Sequence, residues 1–379
     1  MPAYYEFFAG GGMARAGLGA GWSCLFANDI DSKKAASYAA NWGKEHLRVE
    51  DVAKLAAEDL PGQADLAWAS FPCQDLSLAG AGAGLKGTRS GTFWPFWRLM
   101  QALQQEGRGS ALIVLENVCG ALASHNGKDF AAIGAALARH YRFGAVVIDA
   151  VRFVPQSRPR LFIIAVRKDL PIPGQQTTEG SDSLWHPSHL VNAYEKLSAA
   201  SREAWIWWRL PQPPQRSMVF SDVIEDEPHG VAWHTAAETR RLLSMMSPIN
   251  RRKVAQAKRM GRKQVGGIYR RTRVDENGER VQRAEIRFDE ISGCLRTPVG
   301  GSSRQTILIV EGEKIRSRLL SPREAARLMG LPDTYILPKN YNEGYHLAGD
   351  GVVVPVVRFL ASHLLEPLLA AEKCKKEAA

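Results

Sequence analysis

Three features of the 379-residue chain predict an α/β fold, a doubly wound and mostly parallel sheet joined to a second, smaller and irregular domain. A short apolar run ends in consecutive glycines and passes straight into a helical pattern. Apolar and helical runs then alternate as far as Lys168, the spacing of a parallel sheet covered on both faces. Beyond Lys168 the chain becomes irregular and rich in proline, and the basic residues concentrate there.

The first strand is Tyr4 to Phe8, followed by the turn Gly10-Gly11-Gly12 and a helix from Met13 to Leu18. Further strands are expected at Ser23 to Ala27, Asp65 to Ser70, Ala111 to Leu115, Ala145 to Ile148 and Leu161 to Val166, with a helix at Phe130 to Arg139. Residues that carry function then belong just past the carboxyl ends of the strands. Pro171, Pro173 and Gly174 mark a domain boundary near 170 to 185. Trp205, Trp207 and Trp208 read as packed core in preference to a base-stacking surface. In Ser321-Pro322-Arg323-Glu324, Ser as N-cap, Pro in the first turn and Glu three residues after the cap make a capping box, starting a helix that stops at Gly330. The β-branched run Val352 to Val357 reads as a strand, although Pro355 argues against a central one.

Charge and cysteine usage narrow the class. Lys and Arg number 49 against 39 Asp and Glu, and the segment from Arg240 to Arg287 alone holds 15 against 4, a balance of +11 that leaves the remainder close to neutral. Phosphate neutralisation and a solvated basic face both account for such a segment. Five single Cys make no disulfide framework and no CxxC zinc site, and a reducing compartment fits them. No signal-peptide pattern opens the chain and no run of about 18 apolar residues is evident, so a cytoplasmic protein without a membrane is expected.

The turn Phe7-Phe8-Ala9-Gly10-Gly11-Gly12 falls short of a full GxGxxG because Arg15 stands at the last glycine position. It lets a ligand approach the backbone closely, and Asp29, at the end of the next strand, is of the type that accepts hydrogen bonds from a ribose diol. A purely structural turn is the competing reading. Phe71-Pro72-Cys73-Gln74 follows a strand directly. A lone Cys is usually a small buried hydrophobe, but Cys73 opens a loop containing Gly80, Gly82, Gly84, Gly87 and Gly91, a composition suited to a moving lid. Glu116-Asn117-Val118 ends the next strand, and Gln156-Ser157-Arg158-Pro159-Arg160 precedes another. A thiol, a carboxylate and two guanidinium groups thus converge on one sheet edge.

In this order, together with Asn28-Asp29-Ile30-Asp31, Ser321 to Pro332 and Gly349-Asp350-Gly351-Val352-Val353, these blocks resemble the C5 cytosine DNA methyltransferases. The resemblance implies that Cys73 adds to C6 of cytosine, that Glu116 acts at N3 and the exocyclic amine, and that Arg160 holds O2; Arg158 and Arg160 are suitable positive neighbours to activate the thiol. It also implies S-adenosylmethionine as methyl donor, bound by Phe8, Gly10, Gly11, Gly12, Asp29, Ile30, Asp51, Phe71, Asp350 and Val352, with no metal. Double-stranded DNA is the implied substrate, its target base flipped out. Contacts to it are expected from Ser77, Lys86 and Arg89 in the glycine-rich loop, from Gln156, and from a base-reading loop with Gly266, Gly267, Arg270, Arg271 and Arg273.

A catalytic domain over 1–172, completed by 336–379, is expected to flank a target-recognition domain and hinge over 173–335. The family pattern makes the tail a helix. Asp29 stands where the family often has Glu, and Asp350 where Asn is usual. The pattern is that of a monomeric prokaryotic or phage modification enzyme, with a cognate restriction endonuclease as a conceivable partner. The rival readings are a tRNA cytosine-5 methyltransferase, a dinucleotide-dependent oxidoreductase and a non-catalytic DNA-binding relative.

Overall fold

Near-continuous apolar runs flanked by amphipathic helices leave a strand little choice but burial on both faces, and this places the central sheet. The structure is a computed structural model and describes residues 1–72, 90–274, 277–296 and 304–377. The chain divides into two units: Met1–Asp149, Pro159–Pro213 and Val352–Ala379 form the first, Ala150–Arg158 and Pro214–Gly351 the second.

In the first unit, β1 (Ala3–Phe7), β2 (Ser23–Asp29), β3 (Leu47–Val49), β4 (Leu66–Ala69), β5 (Leu112–Val118), β6 (Tyr141–Asp149) and β7 (Pro159–Arg167) form one sheet in the order β3-β2-β1-β4-β5-β7-β6. All run parallel except β7, which is antiparallel to both β5 and β6. The strand order reverses between β1 and β4, so the crevice beyond their carboxyl ends is the expected place for a ligand. Helices α1 (Met13–Leu18), α2 (Ser32–Trp42), α3 (Phe93–Gln105) and α4 (Lys128–Leu137) accompany the sheet. Asp31 caps α2 by accepting from the amides of Lys33 and Lys34. Phe7, Phe26, Phe96, Trp97, Ile113, Leu115 and Phe130 share one buried cluster, each contributing about 1.5–3 kcal/mol by burial.

The segment after Lys168, assigned by composition to the recognition domain, packs instead on this sheet. It contains α5 (Ser188–Glu195), α6 (Ala199–Glu203) and the short pair β8 (Thr177–Thr178) with β9 (Trp207–Trp208). Trp205 lies edge-on to Phe143 and Phe130. Trp208 is buried and its indole donates to the Ile164 carbonyl at 3.3 Å. A Cβ at Gly144 would sit 1.9 Å from the Ile206 carbonyl oxygen, so β6 needs glycine there. Trp208 is core, and Trp205, half-buried, packs against the core, as the sequence suggests; Trp207 is half-buried beside Trp205. The division falls after Pro213, and the prolines at 171–173 mark only a turn into more core.

The tail is helical, Val354–Leu360 followed by Glu366–Glu377. Pro355 lies in the first helical turn, where a missing N–H costs nothing, and this overrides the strand preference of the valines. Val357 packs on Gly17 of α1, where a Cβ would approach to 2.4 Å. The stretch 341–372 has the length and hydropathy to cross a membrane, but it leaves helical geometry at 351–353, and Leu347, Val356, Leu360, Leu364 and Leu365 are buried in protein.

The second unit holds α7 (Ala236–Ser244), α8 (Pro248–Arg259), β10 (Gln264–Val274), β11 (Arg280–Arg287), β12 (Thr306–Glu311), β13 (Lys314–Leu319), α9 (Pro322–Leu328) and α10 (Tyr341–Asp350). Its sheet is antiparallel, β11-β10-β12-β13, over a core of Leu242, Met246, Val254, Ile268, Ile286, Leu308 and Val310. The capping box forms as the sequence indicates: Ser321 Oγ accepts from the Glu324 amide at 3.1 Å, and the Ser321 amide donates to Glu324 Oε2 at 2.7 Å.

Candidate functional site

At the carboxyl end of β1 the backbone turns through left-handed conformations at Phe8, Gly10 and Gly12, with φ of 58°, 55° and 75°. The turn is pinned on several sides. The Gly10 amide donates to Asp29 Oδ2 at 2.8 Å, the Asp31 amide to Asp29 Oδ1 at 2.8 Å, and the Trp42 indole to the Gly11 carbonyl at 3.1 Å. The glycines differ in purpose. A Cβ at Gly12 would fall 2.4 Å from Trp42 Nε1, whereas one at Gly10 would meet nothing within 4 Å. Gly12 is required for packing, and Gly10 borders open space in a conformation that side chains disfavour.

Burial raises the carboxyl of Asp29 above the usual carboxylate range, an effect opposed by the amides of Asp31 and Gly10 and by the charge of Lys34. Each Asp29 oxygen accepts one amide, and a carboxylate oxygen has a second lone pair for a hydroxyl. Ile30 beside it is 67% exposed, an apolar platform next to the hydrogen-bonding groups. Asp51 caps the following short helix, its Oδ1 accepting from the Ala53 amide at 2.9 Å. Phe71 is buried with its ring tilted at 49° to that of Phe93, and Val352 is buried, while Asp350 is exposed at the end of α10 in the second unit.

Under the turn lies Glu6, a buried carboxyl absent from the sequence-derived site. Oε1 accepts from the Arg15 amide at 3.3 Å, and Oε2 is buried without a partner among the described residues. Burial pushes its pKa up to about 8, against the opposing pull of the Arg15 amide and charge. A carboxyl raised from 4.5 contributes stability that is complete below about pH 4.5 and lost as pH climbs through about 8. Urea unfolding between pH 5 and 8.5 should therefore show stability falling across this window, and Glu6→Gln should flatten the fall. A wild-type slope retained in Glu6→Gln would assign it to other groups.

The second half of the site forms between β5 and β7. Their antiparallel register sets Val118 opposite Arg160 and Glu116 opposite Phe162, so Glu116 and Arg160 share a face and meet diagonally. Arg160 Nε lies 3.3 Å from Glu116 Oε1, and both side chains are largely buried. Asn117, which the sequence reading gave no role, donates to the Phe71 carbonyl at 3.1 Å and ties β5 to the chain two residues before Cys73. Cys73, Ser77, Lys86 and Arg89 lie outside the described residues. Cys119, also passed over, follows Glu116 closely, and burial pushes its thiol up to about 11 despite the charge of Arg160. It is no candidate nucleophile.

Two expected site residues turn out to be structural ties of the second unit. Gln156 was expected at DNA but is fully buried; its Nε2 donates to the Leu328 carbonyl at 2.8 Å, and its Oε1 accepts from the Leu295 amide at 3.0 Å. Arg158 was expected beside the thiol. Its guanidinium donates to the carbonyls of Leu295, Gly349 and Gly351 at 2.8–2.9 Å, fastening the glycines that precede Val352.

The base-reading loop expected at 266–273 is a strand, β10. Gly266 and Gly267 are buried in its four-stranded part, and a Cβ at Gly266 would press on Ile286 and Phe288 at 2.8 Å, so this glycine serves packing. Strand alternation also separates Arg270 from Arg271 and Arg273, which share the face of Tyr269.

Set against known proteins, the chain matches the profile of the C-5 cytosine-specific DNA methylase family over residues 3–366. It is 24% identical over 386 residues to the type II methyltransferase M.HpaII of Haemophilus parainfluenzae, covering 96% of this chain and 89% of that one. It is 23% identical over 367 residues to M.HhaI of Haemophilus parahaemolyticus, covering 95% and 93%. Among solved structures it superposes on the S. pombe Dnmt2 methyltransferase with a TM-score of 0.60 at 19% identity, over 97% of this chain and 99% of that one. The Entamoeba histolytica methyltransferase EhMeth gives 0.64 at 14% identity, over 97% and 99%. These structural likenesses establish the fold.

Proposed function

The chain belongs to the C-5 cytosine-specific DNA methylase family, and from that premise we propose that it methylates C5 of a cytosine flipped out of a specific duplex DNA sequence, through a covalent bond between Cys73 and C6. The observation that carries this reading is the Glu116–Arg160 pair at the sheet edge, 3.3 Å apart and largely shielded from water.

Carbon 5 of cytosine is a poor nucleophile. Adding a thiolate to C6 turns the ring into an enamine whose C5 attacks an electrophilic methyl, and negative charge develops at N3 and O2 as the thiolate adds. Glu116 meets that demand by accepting from the exocyclic amine and, in its protonated form, donating its proton to N3, and Arg160 by holding O2. After methylation, loss of the C5 proton and β-elimination restore the aromatic base and release Cys73 as thiolate. A free thiol has a pKa of about 8.5 and needs positive charge nearby to react. We assign that charge to Arg160, which lies beside Glu116 in the first unit, whereas Arg158 donates to backbone carbonyls of the second.

S-adenosylmethionine supplies the methyl on a sulfonium sulfur when bound. The first unit fits it: open space beside Gly10, the acceptor Asp29 and the exposed face of Ile30 suit a ribose and an adenine. Phe8, Gly11, Gly12, Asp51, Phe71, Asp350 and Val352 complete the proposed cofactor set, and Ser77, Lys86 and Arg89 the proposed contacts of the loop to DNA. The basic sheet of the second unit favours duplex DNA over tRNA as substrate. The reading is of a monomeric cytoplasmic enzyme of type II modification, for which a cognate endonuclease is the partner to seek.

Glu116→Gln keeps the shape of the side chain and removes its charge. Methyl transfer from labelled S-adenosylmethionine to duplex DNA should fall by roughly 10²–10⁴-fold, the range for a lost general acid or base, while DNA affinity stays within a few-fold. Full activity in this variant, or transfer to tRNA in preference to duplex DNA in the wild type, would refute the reading.

A further inference from the structure

The hairpin of the second unit changes character along its length. Gln264–Ile268 of β10 pairs with β12 on one side, but among the described residues Tyr269–Val274 pairs with β11 alone. Its outer half is therefore a two-stranded ribbon, exposed from Arg270 to Val274, and a two-stranded ribbon is one of the shapes a DNA major groove admits. On one face of it stand Tyr269, Arg271 and Arg273 with, directly across, Glu285, Arg283 and Val281. Arg271 and Arg283 are opposite each other, an arrangement of like charges that is unfavourable until an acceptor group arrives.

Within strands β10 and β11 Glu285 is the one carboxylate. Both arginines turn to it: Arg273 donates from Nε at 2.8 Å and lies at 2.6 Å through its amino group, and Arg271 Nε is 3.5 Å away. Arg271 and Arg273 remain about half exposed. Exposed pairs of this kind add little to folding, and on a surface that met only phosphates a carboxylate would repel its ligand. One base pair suits the mixed set. The major-groove edge of G·C shows two acceptors on guanine, O6 and N7, and one donor on cytosine, N4. A guanidinium fork beside a carboxylate matches that pattern.

We propose that Glu285 is a specificity-determining residue that, with Arg273 as its partner and Arg271 as support, reads one G·C pair of the target sequence. The proposal rests on the reading of the chain as a duplex-DNA methyltransferase. Glu285 accepts from cytosine N4 and holds Arg273 in register for guanine.

The test is methylation of a randomised duplex library, read at base resolution, by the wild type, Glu285→Gln, Glu285→Ala and Arg273→Ala. Discrimination at one G·C position should fall by roughly 5- to 150-fold in each variant, the worth of a good bidentate contact, and at the same position in all three. Other positions should be unchanged. If Glu285→Gln and Glu285→Ala alter turnover equally on every sequence, the carboxylate only tunes charge and the proposal fails, while the methyltransferase reading stands. A wild type that methylates no member of the library removes that reading and the proposal together.

Discussion

Host DNA expressing Cys73→Ala should carry no 5-methylcytosine above background at the sites that the wild type modifies, and the purified variant should still bind duplex DNA. The loss should reach at least about 10⁴-fold, because deleting a covalent nucleophile removes a whole reaction path. Among the described cysteines none is placed to substitute. Burial pushes Cys119 up to about 11 even beside Arg160, and Cys24 is buried with its pKa raised by the same desolvation. Cys294 belongs to the second unit, where its Sγ accepts from Arg158 at 3.5 Å. Cys73→Ser separates nucleophilicity from shape: a hydroxyl at that position ionises far less readily than a thiol, so this variant should be almost as inactive as the alanine. Base-resolution mapping of 5-methylcytosine decides it. Modification that persists in Cys73→Ala would end the covalent mechanism, while leaving the family assignment and the fold intact.

Much of the fold was legible because burial on both faces writes itself into a strand as an unbroken apolar run. β1, β4 and β5 stand close to where their runs predict them. The reversed direction of β7 was not legible, since a strand buried on both faces has the same composition in either direction. Val352 to Val357 misled for a related reason. β-branching reports a preference of about 1 kcal/mol at most, and burial of Val356 and Val357 in a helix that begins beside Pro355 outweighs it. At the site, Glu116 and Arg160 were readable as strand-end residues, and the register brings them together. Arg158 and Gln156 were not separable from Arg160 by sequence, because five consecutive residues offer no sign of which side chains face backbone carbonyls. In Arg270-Arg271-Thr272-Arg273 the period of two is the signal of a strand, but two adjacent glycines and four consecutive polar residues mimic a loop. Nothing local pointed to Glu6, whose burial depends on α1, β2 and α2 closing over β1.

The largest stability effect is expected at a pair that carries no chemistry. Arg318 and Glu324 are both fully buried and 2.6 Å apart. Glu324 also accepts from the amides of Ser321 at 2.7 Å and Glu225 at 2.8 Å, and Arg318 donates to the carbonyls of Glu225 and Leu319. One carboxylate thus closes the capping box of α9, neutralises a buried guanidinium of β13 and holds the irregular segment at Glu225 that precedes α7 and α8. Deleting one member strands the other's charge where water cannot reach it, so Glu324→Gln or Arg318→Met should cost about 3–5 kcal/mol. Glu324→Gln is the more telling of the two, because glutamine can still accept from the Ser321 amide and so isolates the charge from the cap. Replacing both residues by apolar ones of similar volume should recover part of the loss, since a buried ion pair also carries the desolvation of two ions. Urea unfolding followed by amide hydrogen exchange in β13, whose Arg318 lies against the Trp233 ring at 5.0 Å, reports on this unit directly. Activity per folded molecule should stay within a few-fold, because the hydrogen bonds of Arg318 and Glu324 are made within the second unit. Single variants that lose less than about 1 kcal/mol would show that water reaches the pair, and a double variant no more stable than either single would place the energy in the hydrogen bonds to Ser321 and Glu225 and not in the charges.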